Sequence, residues 1–347
     1  MRILLDTTYA RRAPLSGTGI YITRVCEELA KLDGVEVIEA ANSHRRPPAG
    51  GGPGSVRNLG SDLWWSATEL PRLARRSGAE VIHHPLPARS VMTRVPQVVT
   101  VVDVAFERLP DHFDRRFRTY AHLAQRAAAR DANAVICISE TTARDVQELW
   151  AIAREEICVA PLGPGQDFAA DRDAPPDRAP SHFLYVGDDE PRKDLPTLLD
   201  AHRRYRDRVS EPLDLVLAGS AAATQQGVRT ISHPDRGSLH ELYLGAAALV
   251  HTSLYEGFGL TPVEAMAVGT PVLAARVPGV LEVCADAARY VDPGDAEGFA
   301  DAMVQLAHDP AIRDDLARRG RARAAQFSWA RCASIHLDAY SLASRHR

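Results

Sequence analysis

Two short segments hold the residues whose types and spacing could do chemistry. One is Tyr255-Glu256-Gly257-Phe258-Gly259-Leu260-Thr261-Pro262-Val263-Glu264, the other Gly187-Asp188-Asp189-Glu190-Pro191-Arg192-Lys193-Asp194. In the first, Thr261 is a good helix N-cap, Pro262 suits the first helical position, and Glu264 three residues after Thr261 completes a capping box. A helix is therefore expected to start there, after a strand. Strand, glycine loop and helix N-terminus make an anion site, because N–H groups without intrahelical partners and the positive dipole end converge on one point. Gly257 and Gly259 allow close backbone approach, although they could equally serve only a tight turn. The dipole alone supplies about 0.3–1 kcal/mol, up to ~2 when partly buried, so side-chain cations should share the anion.

Arg192 and Lys193, following the strand that ends near Gly187, are those cations. Arginine offers a bidentate fork and lysine a point charge, a pairing suited to a pyrophosphate whose negative charge grows as it leaves. Only two of the 41 basic residues are lysines, Lys31 and Lys193, so a lysine here runs against the arginine bias of the chain.

Behind these segments, short apolar runs alternate with amphipathic stretches, the rhythm of parallel sheets flanked by helices. Strands are expected at 3–5, 35–38, 80–83, 97–102, 134–138 and 157–160, then 182–186, 213–218 and 246–251. Helices are expected at 19–32, 63–77, 113–131, 140–150, 195–208 and 262–268, and in broken pieces from Asp295 to the end. Residues 42–60, with Pro47, Pro48, Gly50, Gly51, Gly52, Pro53 and Gly54, read as a mobile loop. The Pro-rich stretch at 169–181 reads as a linker between two domains, in line with 347 residues being too long for one typical core.

Composition excludes several classes. At 45% hydrophobic and 25% charged residues, the chain is neither disordered nor fibrous. The first 165 residues carry 21 basic against 19 acidic residues and the remainder 20 against 26, so neither half has the charge of a nucleic-acid binder. Arg115, Arg116, Arg118, Arg126 and Arg130 share one helical stretch. A solvated face is the simpler reading of it, and an anionic acceptor or peripheral contact with a membrane surface the alternative. Five scattered cysteines without a Cys-x-x-Cys pair fit a reducing cytoplasm. No leader pattern and no run of about 18 apolar residues is present, which predicts neither a signal peptide nor a membrane span.

Glu256 and Glu264, spaced around Gly257-Phe258-Gly259, resemble the Glu-x7-Glu signature of retaining GT-B glycosyltransferases, specifically glycosyltransferase family 4 (glycosyl transferases group 1, mannosyltransferase-like). Glu190-Pro191-Arg192-Lys193-Asp194 is similar to that family's Glu-Pro-Arg-Lys-Asn segment, with Asp194 in place of the usual Asn. Ser16-Gly17-Thr18-Gly19-Ile20 resembles its loop facing the donor phosphates, and Cys137-Ile138-Ser139-Glu140-Thr141-Thr142 its strand-to-helix turn. Phe327-Ser328-Trp329 resembles its entry to a final helix.

The resemblance implies an α/β GT-B fold, two Rossmann-like domains with parallel sheets facing across a cleft. Residues 1–168 would bind the acceptor, with 169–181 as linker. Residues 182–327 would bind the nucleotide sugar, and 328–347 would return to the first domain. It implies a metal-independent, retaining hexosyltransferase of carbohydrate biosynthesis with no cofactor, the nucleoside-diphosphate sugar being its donor substrate and a hydroxyl of a glycan, glycolipid or small molecule its acceptor. Its place would be the cytoplasm or the inner membrane face. Arg192 and Lys193 would neutralise the diphosphate, Glu256 would bind hydroxyls of the transferred sugar, and Glu264 the ribose. Gly17, Gly19, Gly187, Gly257, Phe258, Gly259 and Leu260 would line the donor. Glu264 as a capping residue and Glu256 as a solvated loop acid are the plainer readings.

One departure bears on activity. Family members read Val-His-Asp where this chain has Val101-Val102-Asp103, and Val102 cannot donate to a sugar hydroxyl. His83 or His84 on the neighbouring strand could cover the position beside Asp103, the donor sugar could lack the matching hydroxyl, or the chain could be a catalytically impaired sugar-nucleotide-binding relative. Asp171-Arg172-Asp173 spells Asp-x-Asp but sits in the linker rather than at a strand end, so no metal is expected there. A Rossmann oxidoreductase fails on spacing, because Gly17 and Gly19 come about ten residues after the first strand without the third glycine.

Overall fold

The computed structural model describes residues 1–44, 53–165 and 179–345. The chain forms two compact units, Met1–Leu162 with Ser328–Arg347, and Gly163–Phe327. Each is built on a six-stranded, fully parallel sheet. The linker expected at 169–181 and Asp171–Asp173 within it lie almost wholly outside the described residues.

In the first unit the strands are β1 (Arg2–Asp6), β2 (Glu36–Ala40), β3 (Val81–His84), β4 (Gln97–Val101), β5 (Ala134–Cys137) and β6 (Ile157–Val159), in the order β2-β1-β3-β4-β5-β6. All four residues of β3 are buried, and so are all four of β5, as expected of parallel strands covered on both faces. The helix Trp329–Arg345 packs here. Its buried residues, Trp329, Cys332, Ala333, His336, Ala339, Tyr340 and Ala343, recur at three- and four-residue spacing and make one face.

That helix is held by a polar chain inside the core. His336 Nδ1 lies 2.8 Å from the Cys332 carbonyl and its Nε2 2.8 Å from Tyr21 Oη. Tyr21 Oη is 2.8 Å from Thr100 Oγ1, which is 2.9 Å from His83 Nε2, and Tyr340 Oη lies 2.9 Å from His83 Nδ1. A carbonyl can only accept, so His336 carries its proton on Nδ1. Tyr21 then donates to His336, Thr100 to Tyr21, His83 to Thr100 and Tyr340 to His83. Every member is satisfied, the condition under which a buried polar network stabilises.

Residues 53–60 correct the loop expected at 42–60. Pro53–Trp64 is helical, followed by one π-helical turn at Trp65–Glu69 and the helix Leu70–Ser77. Proline is welcome in a first turn, where its missing N–H is not needed. The π turn opens with buried Trp65, whose Nε1 donates to Asp6 Oδ2 at 2.9 Å.

In the second unit the strands are β7 (His182–Val186), β8 (Asp214–Gly219), β9 (Val228–Ser232), β10 (Ala246–His251), β11 (Val272–Ala275) and β12 (Ala288–Val291), in the order β12-β11-β10-β7-β8-β9. The chain runs outward from β7 through β8 to β9, then returns to the other side of β7 with β10. The strand order reverses between β7 and β10. In open α/β sheets, ligands bind at the carboxyl ends of the strands flanking such a reversal. Those ends lead directly into Gly187–Asp194 and Thr252–Gly259.

Candidate functional site

Beyond β7, Pro191–Lys193 make one 3-10 turn, and Asp194, with φ +50°, caps the helix Leu195–Arg206 by accepting from Thr197 N. The loop beyond β10 is fastened to this turn. Leu254 N donates to the Arg192 carbonyl at 2.8 Å, and Thr252 Oγ1 to the carbonyls of Lys193 at 2.9 Å and Asp194 at 3.2 Å. The two chemical segments are therefore bonded to each other at the strand reversal.

Glu256 stands where they meet. Lys193 Nζ is 2.6 Å from Glu256 Oε1, and Arg192 Nη1 is 3.3 Å from Oε2. Arg192 Nε also pairs with Glu190 Oε2 at 2.8 Å. Glu256 is 8% exposed. Burial by itself would raise its pKa, but Lys193 first, then Arg192 and His251, outweigh this and hold the carboxyl well below the usual range. His251, the last residue of β10, is 3% exposed, with Nε2 3.3 Å from Glu256 Oε1 in poor hydrogen-bonding alignment. Burial lowers the His251 pKa, Glu256 raises it, and Lys193 and Arg192 push it down again.

Three residues after Glu256, Gly259 at φ +103° caps the helix Leu260–Val268. Backbone in this left-handed region favours glycine. The cap corrects the expectation at Thr261: the helix starts two residues earlier, Pro262 sits at its third position, and no side chain caps it. Glu264 is not a capping residue either. It is 3% exposed and accepts from Tyr243 Oη at 2.8 Å. Gly279 keeps the loop in place from outside, since a Cβ there would collide with the Glu256 carbonyl oxygen.

Residues 15–164 match the family described as Glycosyltransferase Family 4, and residues 169–323 that described as Glycosyl transferases group 1. The chain belongs to this glycosyltransferase family. It is 26% identical to O-antigen chain mannosyltransferase B of Escherichia coli over 71% of this chain and 70% of that protein. It is 29% identical to the MMP alpha-(1->4)-mannosyltransferase of Mycolicibacterium hassiacum over 76% of this chain and 64% of that one. Sucrose-phosphate synthase of Thermosynechococcus elongatus superposes with a TM-score of 0.74 at 21% identity, covering 98% of both chains. HepE of Anabaena, solved with UDP and glucose, gives 0.68 at 17% identity over 98% of this chain and 99% of that chain. The fold is GT-B.

In this glycosyltransferase Arg192, Lys193 and Glu256 come together, joined through their loops to Gly187, Gly257, Gly259 and Leu260. Phe258 corrects one expectation. Its ring is buried and packs edge-on against Phe327 at 5.5 Å, so its side chain serves the core rather than a ligand. Gly17, Gly19, Asp103, His83 and His84 belong to the first unit. Ser16 caps the helix Gly17–Leu29 by accepting from Gly19 N, and a Cβ on buried Gly19 would strike the Ala13 carbonyl. Asp103 Oδ1 accepts from Ala105 N at 3.0 Å.

His83 cannot stand in for the missing histidine at Val102. It is wholly buried with both ring nitrogens engaged by Thr100 and Tyr340. His84 points to the other face of β3, where Nε2 contacts Gln97 Oε1 at 3.2 Å and buried Nδ1 has no hydrogen-bond partner. Sequence reasoning missed His251, Tyr243 and Gly279. His251 was visible as a histidine closing an otherwise apolar strand beside the glutamate motif, whereas nothing in the sequence pairs Tyr243 with Glu264.

Proposed function

We propose that the protein transfers a glycosyl group from a nucleoside-diphosphate sugar to an acceptor hydroxyl with retention at the anomeric carbon, without a metal ion. The observation that carries this reading is the meeting of Lys193, Arg192 and Glu256 at the strand reversal of the second sheet, next to the opening of the helix Leu260–Val268.

In this reading the acceptor oxygen bonds to the anomeric carbon as the carbon–oxygen bond to the diphosphate breaks, and the departing phosphate takes the acceptor's proton. Lys193, Arg192 and the first-turn amides receive the charge that develops on the leaving oxygen. Preorganised donors of this kind typically contribute about 3–4 kcal/mol each to barrier lowering. Glu256 binds hydroxyls of the transferred sugar. Glu264, fixed by Tyr243, binds the ribose, and the first unit holds the acceptor.

A panel of uridine, guanosine and adenosine diphosphate sugars, assayed for released nucleoside diphosphate with and without sugar acceptors, tests the reading. Turnover of one donor is expected, and absence of both binding and release across the panel sinks it. Val102, together with the engagement of His83, favours a second reading in which a sugar nucleotide binds without turnover. The same panel separates the two, because that reading requires binding with no release.

We also infer peripheral contact with an anionic membrane through the helix Arg115–Arg130. It carries five arginines and no acidic residue. Phe117, Tyr120 and Leu123 are large, exposed apolar groups on it. Arg126 Nε is buried without a hydrogen-bond partner. Arginines beside exposed aromatic and aliphatic side chains suit a surface of phosphate headgroups over acyl chains.

A further inference from the structure

Among the described residues, the cluster around Glu256 sets two cations, Lys193 and Arg192, against two carboxylates, those of Glu256 and Glu190. A diphosphate arriving at these cations competes with Glu256 for them, most of all for Lys193, whose Nζ sits at hydrogen-bond distance from Oε1. When Lys193 turns to the phosphate, Oε1 is left buried with His251 Nε2 in reach at 3.3 Å. A buried carboxylate oxygen without a donor is strongly disfavoured. A protonated imidazole supplies both the donor and the lost positive charge.

We propose that His251 is a positioning residue that takes over Glu256 when a donor diphosphate engages Lys193, gaining one proton from solvent at Nε2, so that donor binding and proton uptake are coupled. The inference rests on the donor-binding reading of this site.

The charged groups acting on His251 come from both flanking loops: Glu256 from beyond β10, and Lys193 and Arg192 from beyond β7. Burial favours the neutral ring and the two cations add to that effect, opposed by Glu256. The diphosphate cancels the cations and leaves Glu256, so the affinity of the ring for a proton rises. By linkage, a ligand that promotes protonation binds more tightly as pH falls, up to tenfold per pH unit for one coupled proton.

The test is titration calorimetry with uridine, guanosine and adenosine diphosphates at pH 6 to 8, in buffers of different ionisation enthalpy, on the wild type, His251→Gln and His251→Phe. Glutamine keeps an N–H donor that does not titrate, and phenylalanine keeps the buried ring. The diphosphate's own titration is common to all three proteins and cancels in their difference. Expected is up to one more proton taken up per ligand by the wild type, with a steeper tightening of Kd toward pH 6. His251→Gln should bind within a few-fold of wild type at pH 8 and lose the steeper part of the slope. Binding with equal proton counts and slopes in wild type and His251→Gln overturns this inference alone. No binding of any of the three ligands by the wild type overturns the donor reading and this inference with it.

Discussion

Lys193 Nζ lies 2.6 Å from Glu256 Oε1, linking the cation that follows β7 to the carboxylate that follows β10. Lys193 thus neutralises a buried acid, and the proposed mechanism gives it a second part, facing the leaving diphosphate. Lys193→Ala is expected to lower turnover by about a hundred- to a thousandfold, the usual loss of one preorganised contact to developing charge. Steady-state rates with the donor found in the panel check this, and a change under tenfold contradicts the role.

Glu256 contributes to folding as well as to the site. Removing one partner of a buried ion pair typically costs about 3–5 kcal/mol, because the remaining charge is left unmatched. Glu256→Gln should therefore lower the melting temperature of the second unit, and a nucleoside diphosphate, which supplies the missing negative charge, should raise it more in the variant than in the wild type. Calorimetric melts with and without the ligand decide it. The folded-state pKa of Glu256 is depressed. Its stabilisation is accordingly complete above the unfolded carboxylate value of about 4.3 and is lost as pH falls through the folded value.

Tyr243 tests Glu264. Tyr243→Phe leaves one buried carboxylate oxygen without its hydroxyl donor, a loss of about 1–3 kcal/mol. If Glu264 binds ribose in donor and transition state alike, the expected kinetic result is a raised donor KM with kcat nearly unchanged. A fall in kcat at constant KM would assign Glu264 to the reacting centre instead.

Much of this was legible in sequence because it is local. Strands such as Ala246–His251 announce themselves as apolar runs, and Asp309-Pro310 marks a helix start whose cap accepts from Ala311 N and Ile312 N. The strands Val228–Ser232, Val272–Ala275 and Ala288–Val291 were not foreseen. The first is half-exposed at the sheet edge, and the others are four residues long, too short to show a period. Thr261 misled because capping-box spacing is a statement about residue types, whereas Gly259 alone can take the left-handed backbone that the loop requires. Tyr243 with Glu264 and His83 with Tyr340 are pairings made by tertiary packing, across 21 and 257 residues, and no local pattern encodes them.

The helix Arg115–Arg130 gives a prediction separate from catalysis. The protein should co-sediment with vesicles containing phosphatidylglycerol and not with neutral phosphatidylcholine vesicles. Charge reversal at Arg116 and Arg130, both exposed, should weaken that binding by about 1 kcal/mol per charge removed and more when the sign is reversed. Equal binding to both kinds of vesicle, or none to either, argues for a plain solvated face.

The last prediction concerns pH and the docking of the helix Trp329–Arg345 in the first unit. Burial pushes the His336 pKa down to about 4, opposed by its bond to the Cys332 carbonyl, and burial lowers that of His83 as well. An unfolded histidine titrates near 6.5. Between these values the unfolded state holds a proton that the folded state does not, so stability is greatest above about pH 6.5 and falls as pH drops toward 4. The slope is about 1.4 kcal/mol per pH unit for each such ring. Protonating His336 at Nε2 also removes the acceptor that Tyr21 uses, and protonating His83 at Nδ1 removes the acceptor of the Tyr340 hydroxyl proton. Hydrogen exchange, corrected for intrinsic rates, should show amides of this helix losing protection from pH 7.5 to pH 5.5. Tyr340→Phe, which leaves His83 Nδ1 without its partner, should show weaker protection already at pH 7.5. Protection that does not change with pH in the wild type would mean that the network can accept a proton without letting the helix go.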